Sequence, residues 1–232
     1  GSFHLGLEAG DPTDSLSKIS RQNARIETAS RAMSKPKLFI PGPVDVAPET
    51  YAAMAGDTIG HRGADFEELY ASIQPGIRQI VGTSRPVFFS TSSAWGVMEG
   101  AIRNLVQKKV LNLCCGAFSD KWYGVAQSCG KKAEKIQVEW GESISPEAVK
   151  AKLSEGGFDV VTLVHNETST GVLNPLKEIA EVVNSFEDVL LVVDTVSSLS
   201  AMPINFDELG IDVLLAGVQK AFALPPGLAI FV

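Results

Sequence analysis

The sequence is poor in cysteine: Cys114, Cys115 and Cys129 are the three among 232 residues. That is too few for a disulfide scaffold. Two of them are adjacent inside an apolar run, so buried, reduced thiols in a cytosol-like compartment are expected. Basic residues are also outnumbered, with 20 Lys plus Arg against 27 Asp plus Glu and a formal net charge of −7. A local basic patch aside, no nucleic-acid partner is expected from that balance. No apolar run reaches the roughly 18 residues of a membrane span, so no membrane partner is expected either. No secretory h-region opens the chain. Repeats and low-complexity segments are missing. What remains is the composition of an ordinary globular protein, 45% hydrophobic and 20% charged. At this length a chain can bury roughly 70–75% of its unfolded surface, which is a full core.

The first 32 residues stand apart. They are polar, show no strand pattern and begin Gly1-Ser2, as a tag remnant does, while a fresh Met stands at position 33. Residues 1–32 therefore read as a tag or leader, disordered in isolation, and 33–232 as the folded domain. Arg21, Arg25 and Arg31 suit a transit peptide, whereas Glu8, Asp11, Asp14 and Glu27 do not. A cytoplasmic location is expected, with an organellar one left open. Within the leader, Asp14 to Ile26 has the spacing of a short amphipathic helix with Leu16, Ile19 and Ile26 on one side.

From Lys37 onward two periods alternate. Strands are expected at Pro86 to Phe89, Val110 to Cys114, Val160 to Val164, Val189 to Val193, Val213 to Leu215 and Leu228 to Val232. Helices are expected at Ala94 to Val106, Lys121 to Cys129, Pro146 to Leu153 and Leu176 to Asn184. Strands such as Val189-Leu190-Leu191-Val192-Val193 are apolar on both faces, so helices must cover both. The expected fold class is α/β: a three-layer α/β/α arrangement around a mostly parallel sheet.

In such sheets ligands gather beyond the carboxyl ends of the strands. The residues that follow the strands are Ser90 to Ala94, Gly116-Ala117-Phe118, His165 to Gly171, Asp194 to Ser198 and Ala216 to Lys220. Ser90 to Ala94 joins a strand to a helix, where N–H groups and hydroxyls suit a phosphate, or where Ser92 or Ser93 simply caps the helix. Asp194 ends an apolar run and needs a donor or cation to stay ionised; a protonated ring nitrogen would serve, and so would the N–H groups of a turn. Lys220 follows a buried strand among small and apolar neighbours. Desolvation lowers a lysine pKa, as a Schiff-base lysine requires, although a long stem can also carry the amine to the surface. Phosphate cradle, ring-nitrogen carboxylate and Schiff-base lysine are together the protein parts of a pyridoxal phosphate site.

Six segments carry a family likeness: Ile40-Pro41-Gly42-Pro43-Val44, Ile59-Gly60-His61-Arg62, Cys115-Gly116-Ala117-Phe118, His165 to Gly171, Val193 to Ser198 and Gly217-Val218-Gln219-Lys220-Ala221, with Pro225-Pro226-Gly227 following. In this order they resemble the class V aminotransferases of the fold-type I pyridoxal-phosphate enzymes, in particular the alanine/serine–glyoxylate (serine–pyruvate) group. The resemblance implies that Lys220 binds the cofactor aldehyde and Asp194 meets the pyridine nitrogen. It implies that Val196 and Phe118 cover the two ring faces, and that Thr168 lies near the phenolic oxygen, with Asn166 as a competitor. Ser93, Ala94 and Trp95 match the phosphate loop, and Gln219 is a further phosphate contact.

The chain departs from the family in two loops: the phosphate loop, usually Gly-rich, reads Ser92-Ser93-Ala94-Trp95, with Trp95 where a small polar residue or His is common, and the aromatic loop has Cys115 where Asn is common and Ser119-Asp120-Lys121 in place of Gly-x-Arg. The resemblance implies small amino acid and 2-oxo acid substrates, a homodimer with His61 and Arg62 near its interface, and a C-terminal small domain absent from this chain. A lyase or desulfurase of the same fold, or a non-catalytic binding module, are the competing expectations. The remaining aromatic pair, Trp122 and Tyr123, reads as helix packing, His165 as a satisfied loop histidine, and Ile40 to Pro43 as a rigid turn that brings backbone near the substrate.

Overall fold

Runs of five residues without an outward polar position form the middle of the sheet in the computed structural model, which describes residues 36–232. The leader assigned to 1–32, its helix at Asp14 to Ile26 and the domain start at 33 lie outside the described residues. The chain divides into two units, Gly1–Leu38 and Phe39–Val232. The second contains every element below.

The strands are β1 (Phe88–Ser90), β2 (Val110–Cys114), β3 (Ala133–Gln137), β4 (Val160–Val164), β5 (Asn166–Glu167), β6 (Val172–Leu173), β7 (Leu190–Asp194), β8 (Val213–Gly217) and β9 (Ala229–Phe231). The helices are α1 (Pro48–Met54), α2 (Ala64–Val81), α3 (Ala94–Leu105), α4 (Ala117–Ser128), α5 (Pro146–Leu153), α6 (Leu176–Asn184) and α7 (Phe206–Leu209). Seven strands form one sheet in the order β1-β9-β8-β7-β4-β2-β3, and β5 and β6 make a small hairpin. β3, β2, β4, β7 and β8 are parallel neighbours. β9 runs antiparallel to both β8 and β1, so it alone is reversed.

The strand residues alternate between two cores, as a two-residue period demands. Leu111, Leu113, Val161, Leu163, Leu191, Val193 and Leu214 pack on one side, against Ile77 and Val81 of α2, Val149 and Leu153 of α5 and Ile179 and Val183 of α6. Val110, Val160, Val164, Val192 and Leu215 pack on the other, against Met98 and Ile102 of α3 and Trp122 and Ala126 of α4. These are the three expected layers.

The structure departs from the sequence pattern in definite places. β3 has the sequence Ala-Glu-Lys-Ile-Gln and lies at the sheet edge, where charged side chains prevent further pairing and hide the strand signal. α2 carries Pro75 in its interior and buries only Gln74, Ile77 and Val81, so its apolar stripe is weak. α1 buries no residue. α4 begins at Ala117, ahead of the expected Lys121, and β7 runs one residue further than expected, to include Asp194.

One carboxylate ties the opening ends of two central strands together. Asp159, buried just before β4, accepts the backbone N–H groups of Gln107 at 2.7 Å, Lys108 at 2.6 Å and Lys109 at 3.0 Å, which lead into β2. An amide in its place has one acceptor oxygen and sets an NH₂ against N–H donors. Asp159→Asn should therefore cost about 2 kcal/mol, a fall in melting temperature of roughly 4–8 °C for a domain of this size. Thermal unfolding followed by circular dichroism checks this, and a shift below about 1 °C would show that the three contacts are replaceable.

Candidate active site

β7 delivers Asp194 to the carboxyl edge of the sheet, where it is 6% exposed. Its Oδ1 accepts the Val196 N–H at 3.0 Å, as a turn-capping carboxylate does. Its Oδ2 accepts the indole N–H of Trp122 at 3.1 Å. Burial pushes the carboxyl above its ordinary range, against the opposing pull of the Val196 N–H, the indole and the charge of Lys220. A further donor beside Asp194 would therefore be well received.

Lys220 enters from the loop after β8. Its Nζ donates to Thr168 Oγ1 at 2.7 Å and to Ser197 Oγ at 3.3 Å, and these two hydroxyls lie 2.6 Å apart. The ammonium also stands 4.5 Å from the centroid of the Phe118 ring. Desolvation holds its pKa below the ordinary lysine value, while Asp194 and Glu167 work against that fall. The amine neither reaches solvent freely nor pairs directly with a carboxylate.

One cavity is lined by Phe118, Thr168, Asp194, Val196, Gln219 and Lys220. Ser93, Ala94 and Trp95 at the start of α3 complete its wall. The cavity thus collects the residues that the resemblance assigns to the cofactor, including Asn166, the competitor of Thr168; His61, Arg62, His165, Trp122 and Tyr123 do not line it. Met98 and Val164 are additions to the lining.

The start of α3 corrects one expectation. Ser93 makes no side-chain cap hydrogen bond. Ser92 Oγ is engaged with Ser90 Oγ at 2.9 Å and with the Ser93 carbonyl at 3.0 Å, so neither serine caps the helix. Ala94 and Trp95 belong to the first turn, whose N–H groups have no intrahelical acceptor and suit an anion.

Trp122 was expected to pack, and it does, but it also donates to Asp194. Phe118 and Trp122 are four residues apart and share one face of α4. Starting the helix at Lys121 breaks that face and conceals the second role. Ser197 carried no separate signal beyond its place after Asp194. The turn at Ile40 to Val44 meets the lysine loop: Val44 N–H donates to the Gln219 carbonyl at 3.1 Å. A Cβ on Gly42 would stand 2.6 Å from Lys220 Cγ, so glycine lets the turn lie against the lysine stem. His61 and Arg62 are exposed.

Comparison with known proteins identifies the family. Residues 44–232 match the family described as Aminotransferase class-V. An uncharacterized aminotransferase of Methanocaldococcus jannaschii is 42% identical over 198 residues, covering 84% of this chain and 51% of that protein. A serine–glyoxylate aminotransferase of Methylorubrum extorquens is 32% identical over 209 residues, covering 87% and 52%. The solved structure of an alanine–glyoxylate aminotransferase from Nostoc sp. superposes with a TM-score of 0.81 at 32% identity, covering 86% of this chain and 54% of that one. The chain belongs to the class V aminotransferases, a pyridoxal-phosphate-dependent family of fold-type I. It spans about half the length of these relatives. Among the described residues no helix is long and apolar enough to cross a membrane, and no group of three His, Cys, Asp or Glu side chains could hold a metal ion.

His165 is buried between the cavity residues Val164 and Asn166 in sequence. Its Nδ1 meets Ser198 Oγ at 3.0 Å and its backbone N–H donates to the Asp194 carbonyl at 2.9 Å. Desolvation lowers its pKa from 6.5 to about 4. The unfolded chain therefore binds more protons between these values. Stability from the neutral ring is complete above about pH 6.5 and is lost as pH falls toward 4, to a total on the order of 2–3 kcal/mol. Urea unfolding at pH 7 and at pH 4.5 should show that loss, and His165→Asn should reduce it. An equal acid sensitivity in the variant would place the titration elsewhere.

Proposed function

We propose that the protein is a transaminase that moves an amino group between a small amino acid, alanine or serine, and a 2-oxo acid such as glyoxylate or pyruvate. Pyridoxal 5′-phosphate would be held by a covalent link to Lys220. The observation that carries this reading is the desolvated Lys220 amine, hydrogen-bonded by Thr168 and Ser197, in the same cavity as the buried Asp194.

The residues present fit that cofactor. Asp194 has a carboxyl with only two protein donors, in a place where a third would relieve its burial. Phe118 and Val196 offer apolar surfaces for a flat ring, and the uncapped start of α3 suits its phosphate, with Gln219 nearby. When bound, the cofactor supplies an aldehyde carbon for the amino group and a protonated ring that accepts the electron pair left at the substrate Cα. Asp194 would hold the ring nitrogen and favour its protonated form. The lowered pKa of Lys220 gives its amine more of the neutral form needed to attack a carbonyl carbon. The same amine would also be the base placed to take a proton from the substrate Cα. Thr168 and Ser197 hold that amine in place by accepting its hydrogens. The related proteins of Methylorubrum and Nostoc are named for glyoxylate with serine or alanine, which supports small substrates. The three unpaired cysteines support a reducing compartment such as the cytoplasm.

Borohydride reduction followed by peptide mapping tests the link. The wild-type protein should show a visible cofactor band that reduction bleaches, with a pyridoxyl group on Lys220. Lys220→Ala should lose both. Asp194→Asn should keep the label and lose turnover by roughly a hundredfold or more, since each ~1.4 kcal/mol of transition-state stabilisation is tenfold in rate. A label on another lysine would overturn the assignment.

We also propose a homodimer. Phe39 is 91% exposed and Met54 64% exposed, and Ile40 and Tyr51 share their segment. A two-fold interface would bury these side chains symmetrically, with His61 and Arg62 on its rim. Sedimentation of the whole protein at tens of micromolar should give a dimer, and Phe39→Asp with Met54→Asp should shift it toward monomer. A wild-type monomer at that concentration would refute the assembly.

A further inference from the structure

We infer that Glu167 is a positioning residue that sets the geometry of the candidate cofactor slot by clamping the loop of Thr168 to the helix start of Phe118. The inference rests on the cofactor reading above.

Glu167 is 0% exposed. Its Oε1 accepts Ser169 Oγ at 2.7 Å, the Ser169 N–H at 3.1 Å and the Phe118 N–H at 3.3 Å. Its Oε2 accepts the Ser119 N–H and Ser119 Oγ, each at 2.9 Å. Burial alone would raise this carboxyl, but the serine donors hold it below its ordinary value, so it is an anion inside the protein.

The helix it meets has no cap of its own. The N-cap position of α4 is Gly116, which has no side chain to offer. The first three N–H groups of α4 are met from β5 and its turn instead: Ala117 by Ser169 Oγ at 2.9 Å, and Phe118 and Ser119 by Glu167. A negative charge there is also stabilised by the positive end of the helix dipole. The approach is close. A Cβ on Gly116 would lie 2.6 Å from Glu167 Cδ and 2.6 Å from Ser169 Oγ.

The two ends of this clamp are the two groups that flank the lysine amine. Thr168, next to Glu167 in sequence, accepts from Lys220 Nζ at 2.7 Å. Phe118 presents its ring 4.5 Å from the same nitrogen. Loosening the clamp would shift hydroxyl and ring relative to the amine together. Glutamine cannot replace glutamate, because N–H donors face both oxygens and its NH₂ would meet one set head-on.

The test compares wild-type and Glu167→Gln protein by three readouts: amide hydrogen exchange at Phe118 and Ser119, pyridoxal phosphate affinity, and induced circular dichroism of the bound cofactor's visible band. The variant should exchange faster at both amides, bind roughly tenfold or more weakly, about one lost hydrogen bond to a charged group, and lose most of the induced band. A folded variant with wild-type affinity and an unchanged band would overturn the inference, however much its melting temperature fell. Should Glu167→Gln not fold, Ser169→Ala removes one clamp contact and should shift affinity and band in the same direction; no shift there overturns it as well. The outcomes separate the two proposals. A wild-type protein without a visible band removes the cofactor reading and this inference with it, whereas a wild-type band matched by the variant removes this inference alone.

Discussion

Asp194 ends a central strand where water hardly reaches, so its hydrogen bonds must come from the protein or from a ligand. Much of the surrounding structure answers that demand. The chain turns sharply after β7 to bring the Val196 N–H back to the carboxyl, and that turn also sets Val196 into the cavity wall. α4 crosses above the same strand end and supplies an indole N–H from Trp122. Because Phe118 lies one turn earlier on α4, the helix that serves the carboxyl also carries an aromatic ring into the cavity. The energetic need of one buried group thus aligns two faces of a slot.

The lysine amine is held by a different logic. Its partners are hydroxyls and a ring face, which accept its hydrogens without offering a full negative charge at contact distance. A carboxylate in direct contact would raise its proton affinity and keep it charged. Asp194 and Glu167 act on it only from a distance, and desolvation outweighs them. An amine arranged in this way is poised for carbonyl chemistry, and the arrangement needs three separate chain segments to converge on it.

The layered fold was legible because the central strands are apolar on both faces, a pattern that few other architectures produce. A parallel sheet collects its strand-end loops at one edge, which placed the loops of Asp194, Thr168 and Lys220 together, while the roles of Thr168, Phe118, Val196 and Gln219 came from the family resemblance. The edge strand Ala133–Gln137 was hidden by its charged side chains, and the helix Ala64–Val81 by Pro75, which reads as a break inside a run whose Leu69, Ile73 and Ile80 stay exposed. Trp122 and Glu167 were hidden for another reason. Their value lies in what they hydrogen-bond across the fold, and no spacing within the chain encodes a partner many residues away. The serines before α3 misled in the opposite sense: their composition fits a cap, yet their hydroxyls turn to each other and to a carbonyl.

The turn at Ile40 to Val44 rests on the carbonyl of Gln219 and the stem of Lys220, close to the other end of the described chain. A ribosome delivers the turn early and its seat late. Until β8 and its loop exist, the turn lacks the Gln219 carbonyl and the Lys220 stem that it lies against. The contact between this turn and the lysine loop therefore closes one of the longest loops within the described residues, and loops of that length close slowly.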